Sequence, residues 1–128
     1  MWGGGSARIA SGDGGKNLHK LLRSLERIEC GAGSFDDALG VLEPVLSRFY
    51  AWRATIQQNP EQRLRTEVEI QMRRDYQPLC ERTVALLEAY RAALRSRDLP
   101  AARMEIAAVA EEMCLLKVLK EHYQARGF

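Results

Sequence analysis

Four successive segments of this chain place large apolar residues three and four positions apart, and none alternates them at every second position. That spacing gathers the apolar groups on one face of a helix, and a helix with one apolar face must bury it against a neighbour. The expected fold class is therefore all-α. It is an antiparallel helical bundle of about four helices, three of them long and the first shorter.

Leu18, Leu21, Leu22, Leu25 and Ile28 predict a first helix over 17–30, with Asn17 as its N-cap and Gly31 and Gly33 ending it. Ser34-Phe35-Asp36-Asp37 reads as a capping box with two acids in the first turn, where the helix dipole favours them. The stripe Leu39, Leu42, Val45, Leu46, Phe49, Trp52 and Ile56 then carries a second helix towards Gln58. Pro44 stands inside that stripe, removes a backbone donor and presses on the carbonyl of Gly40, so a kink or break is expected there.

Asn59-Pro60-Glu61-Gln62 carries the signals of a third start: a capping amide, proline in the first turn, and glutamine reaching back. It predicts a helix from Pro60 to about Ser96, ~54 Å long at 1.5 Å per residue, bent at Pro78. Asp98-Leu99-Pro100 opens the last helix, which runs to about Arg126 before Gly127. Ile106, Val109, Met113, Leu116 and Tyr123 form its stripe. Met104, Ala108, Leu115, Val118 and Leu119 widen it, so this helix is expected to touch more than one neighbour.

At 128 residues, one domain over 16–128 is expected. Residues 1–15 are rich in glycine and serine and cannot repay their ordering by burial, so they read as a flexible tail. The formal charge of +2 gives no field that favours nucleic acid or an anionic membrane, and neither partner is expected. No stretch approaches the ~20 apolar residues that span a bilayer. Cys30, Cys80 and Cys114 are odd in number and widely spaced, and the start of the chain does not read as a secretory signal. Reduced thiols and a cytoplasmic location are the expectation.

Chemistry needs groups that converge, and the candidates here do not. His19 and His122 stand alone on different helices, without the spacing of a metal or haem site. Ser11 to Asn17 lacks the first glycine of a phosphate loop and has Asn17 where the magnesium-binding hydroxyl belongs. No catalytic residue, cofactor or metal is expected, and the chain reads as a non-enzyme.

Two local groupings remain. Short turns about Asn59 and Arg97 would bring Pro44 to within about four residues of the height of Pro78 and Cys80 level with Cys114, placing both kinks and two thiols in one layer. Phe49 and Trp52 belong to a core stripe, while Tyr50 falls off it beside Arg48 and Arg53, a combination that suits an interface. The function expected is a non-enzymatic protein–protein interaction module, self-associating as a homodimer or holding a partner helix. The alternative is a bundle that binds a small apolar ligand in the kinked layer of Pro44, Pro78, Cys80 and Cys114.

Overall fold

The computed structural model describes residues 14–128. Four helices occupy them: α1 (Gly14–Glu29), α2 (Phe35–Gln58), α3 (Glu67–Arg95) and α4 (Leu99–Ala125), with a single 3-10 turn, Glu61–Arg63, between α2 and α3. Each helix packs on its sequence neighbour, and α1 closes the ring by packing on α4. Side-chain pairs fix the directions. Glu43 meets Arg91 and Tyr50 meets Glu88, while Asp75 meets Tyr123 and Arg82 meets Glu112. Rising numbers on one helix meet falling numbers on the next, so the neighbours are antiparallel, as the short loops require.

Caps set most of the boundaries. Ser34 Oγ accepts from the Asp37 amide at 3.0 Å, and Asp37 Oδ2 accepts from the Ser34 amide at 3.2 Å, completing the expected capping box. Asp98 Oδ1 accepts from the Ala101 amide at 3.1 Å at the head of α4. Gly31 (φ 73°) ends α1 in the left-handed region, where the Ala32 amide reaches back to the Arg27 carbonyl at 2.8 Å. Arg97 takes the same role after α3 with φ 55°, and the Asp98 amide closes on the Ala93 carbonyl at 3.0 Å.

Two boundaries differ from the sequence expectation. α1 begins at Gly14, so Asn17 lies inside its first turn, where it is buried and accepts from Arg48 Nη1 at 3.4 Å. The tail expected over 1–15 otherwise lies outside the described residues. The third helix starts at Glu67, not Pro60. Asn59 closes α2, Leu64 is extended, and Thr66 is the N-cap, accepting from the Glu69 amide at 3.1 Å. Residues 60–66 offer only Leu64 to a packed face, while Thr66 and Glu69 supply a start directly before the Met72 stripe. Arg73 and Arg74 hold the connection down. Arg73 is buried and donates to the Asn59 carbonyl, and Arg74 pairs with Glu61 at 2.6 Å.

The core is continuous. Leu21 and Leu25 of α1, Leu42, Leu46, Trp52 and Ile56 of α2, Tyr76, Val84, Leu87, Tyr90 and Leu94 of α3, and Ile106, Val109, Leu116 and Tyr123 of α4 are all buried. The contact of Asn17 with Arg48 places the start of α1 only halfway along α2. Beyond that level the described residues supply three helices, and aromatic rings fill the section between them. Phe49 and Trp52 lie 5.8 Å apart by ring centroid, Trp52 and Tyr76 6.0 Å, and Tyr76 and Tyr123 6.0 Å, stacked. No helix among the described residues is long and apolar enough to cross a membrane.

Candidate functional site

Pro44 and Pro78 both lie inside unbroken helices, and both are exposed. They do not share a layer. The Glu43–Arg91 pair sets Pro44 beside Arg91, and Pro78 stands 13 residues from there along α3, about 20 Å at 1.5 Å per residue. The late start of α3 is the cause, because it moves the point about which α2 and α3 turn from Asn59 to beyond Thr66. Cys80 and Cys114 do stand level, next to the Arg82–Glu112 pair at 3.2 Å, but Cys80 is buried and Cys114 exposed. Burial pushes the Cys80 thiol up to about 12. The four residues expected to form one kinked layer are thus scattered over two levels and both sides of the wall.

Tyr50 and Arg53 come together, with the Arg53 guanidinium 5.0 Å from the Tyr50 ring centroid. Arg48 turns the other way, to Asn17 on α1. The Tyr50 hydroxyl donates to Glu88 Oε2 at 2.8 Å and accepts from Arg91 Nη2 at 3.4 Å, and Arg91 approaches Glu43 at 3.9 Å. Desolvation and the Glu88 carboxylate both hold the Tyr50 hydroxyl above its ordinary pKa. This cluster spends its polar groups on joining α2 to α3.

A different surface stands out. Met104, Leu115 and Val118 on α4 are 74%, 49% and 57% exposed, although they continue the apolar run that forms the core. Successive helical residues turn by about 100°, which places these three within about 60° of one another and on the side away from Ile106, Val109, Met113 and Leu116. The sequence expectation that they widen the core stripe is corrected here. α4 has two apolar faces, and only one is buried. Its flanks are held by α3 through Arg82–Glu112 and by α1 through Arg103–Glu29 at 2.9 Å, the latter lowering the Glu29 carboxyl pKa. The outer face is left to solvent.

Beside this face runs an open groove between α3 and α4. Pro78, Leu79, Leu115, Val118 and Leu119 form its floor and walls, and Arg74, Asp75, Arg82 and His122 rim it. An apolar floor with a charged rim suits a protruding row of side chains from another protein. The open shape does not enclose a small molecule. Among the described residues no group of three or more His, Cys, Asp or Glu is placed to hold a metal ion.

The outer face was visible in the sequence as a second spacing pattern. Met104, Ala108, Glu111, Leu115, Val118, His122 and Ala125 follow one another in alternate steps of four and three. Reading Met104, Leu115 and Val118 as an extension of the buried stripe concealed it. No family model, curated protein or solved structure matches the chain.

Proposed function

We propose that this protein is a non-enzymatic helical interaction module whose docking surface is the outer face of α4 and the adjoining α3–α4 groove. The observation that carries this reading is the exposure of Met104, Leu115 and Val118 on a helix whose opposite face already fills the core. A helix that only had to complete a bundle would carry polar residues there, since each exposed apolar side chain gains nothing until something covers it. The groove beside Pro78 and Leu79 gives a second helix a place to seat its ridge.

Cys114 provides a direct test, because it adjoins Leu115 and is exposed, as is Cys30, which follows α1 next to the Glu29–Arg103 pair. Alkylation of the two thiols is compared in native cells and in dilute purified protein. Selective shielding of Cys114 in cells supports docking through this face. Equal reactivity of Cys114 in both conditions, with Cys30 as the internal standard, overturns it.

A further inference from the structure

The docking reading leaves the occupant open, and the order of residues along the exposed face narrows it. Between Met104 and Ala125 the face runs through three heptads, about 32 Å of helix. Its seam is apolar or small at Met104, Ala108, Leu115, Val118 and Ala125, and polar at Glu111 and His122. All seven positions lie on α4, and Glu111, His122 and Ala125 are exposed like the three large apolar residues.

Six of these seven positions are self-complementary when the helix is reversed, while Met104 extends past the far end of the second copy's α4. Turned end for end about a point between Leu116 and Lys117, the helix sets Leu115 opposite Val118, Glu111 opposite His122, and Ala108 opposite Ala125. Large residues meet at the centre, a hydrogen-bonding pair flanks them on each side, and small residues meet at the ends. A two-fold axis requires this kind of self-matching, because each residue of an isologous interface must find its complement on the same surface.

Other arrangements lose the match. Parallel packing in register sets Glu111 against Glu111 and His122 against His122. An antiparallel shift of one heptad sets Glu111 against Leu115, leaving a carboxylate without a partner, or carries it beyond Ala125, where α4 ends. The polar pair therefore selects one direction and one register.

We infer that the occupant of the α4 face is a second copy of this chain, packed antiparallel about the Leu116–Lys117 level, with Glu111 of each copy accepting a hydrogen bond from His122 of the other. This rests on the docking reading above. Both subunits keep the fold described, since every seam residue but the half-buried Ala108 is exposed.

Light scattering behind a sizing column, under reducing conditions and over a range of concentrations, measures the association of the full chain. Wild type is expected to be a dimer, and Leu115→Glu a folded monomer by circular dichroism. Glu111→Lys and His122→Glu are each expected to weaken the dimer by about tenfold or more, and the double variant to recover most of that loss. A monomeric wild type at the highest concentration overturns the inference, as does a double variant no better than the singles. Monomeric wild type with Cys114 shielded in native cells removes the second copy and leaves the docking reading standing. Monomer with Cys114 unshielded removes both.

Discussion

Tyr123 of α4 is buried with its ring stacked on Tyr76, and its hydroxyl donates to Asp75 Oδ2 of α3 at 2.5 Å. Burial and the neighbouring carboxylate both oppose ionisation of that phenol and hold its pKa well above the ordinary value. Tyr76 and Tyr90 are likewise pushed up to about 12, chiefly by desolvation. For a group whose native pKa is raised, the unfolded chain gives up its proton first, so the native state binds more protons as the pH climbs. Stability from these groups is whole below the unfolded value of 10 and is lost as the pH rises from there towards the native pKa. Urea denaturation between pH 8 and 12 should show a fall beginning slightly earlier, because the Cys80 thiol titrates from 9 in the unfolded state. Tyr123→Phe should cost about 1–2 kcal/mol at pH 7 and make the alkaline fall shallower. An unchanged alkaline slope in that variant would remove Tyr123 from the account.

Arg97 holds a left-handed backbone conformation at the end of α3, a position that Gly31 and Gly127 occupy at the ends of α1 and α4. A side chain there crowds its own backbone at a cost of about 1–2 kcal/mol, which glycine avoids. Arg97 recovers little, since its approaches to Asp36 at 3.7 Å and to the Phe35 ring at 5.6 Å lie at the exposed end of the bundle. Glycine also loosens the unfolded chain, which offsets part of the gain. Arg97→Gly should therefore raise stability by about 0.5–1 kcal/mol in thermal or urea unfolding. A loss of similar size would show that the contacts to Phe35 and Asp36 outweigh the backbone cost.

Tyr50 separates the two surfaces that suit an interface. Its hydroxyl is committed to Glu88 and Arg91 within the chain, so Tyr50→Phe should lower stability by less than about 1 kcal/mol and leave association unchanged. Leu115→Glu should do the reverse, abolishing association with little change in stability, because Leu115 is half exposed. Paired unfolding and light-scattering measurements on both variants check this. Weakened association in Tyr50→Phe would return the interface to the α2–α3 face.

The helices themselves were legible because their signals are local. Ser34 with Asp37, Asp98 before Pro100, and Gly31 and Gly127 each satisfy backbone groups within a few residues, so the cap chemistry can be read without knowing the neighbours. Asn59-Pro60 misled for the same reason. It has the form of a helix start, but Thr66 with Glu69 provides another seven residues on, and apolar burial against α2 and α4 favours the latter. Local rules ranked neither.

The sequence by itself determined that four amphipathic helices must pack antiparallel, that Phe49 and Trp52 are core, and where three of the four helices begin within a few residues. Tertiary structure decided the register and the facing. The extended stretch at Leu64 moved the α2–α3 turn beyond Thr66, which drew Pro44 and Pro78 apart and set Tyr50 against Glu88, while Arg48 faces α1. It also decided which apolar stripe of α4 is buried. Both stripes have helical spacing, and a helix in a ring of four has room for only one of them against the core; the Arg82–Glu112 and Arg103–Glu29 pairs lock α4 with Met104, Leu115 and Val118 turned outward.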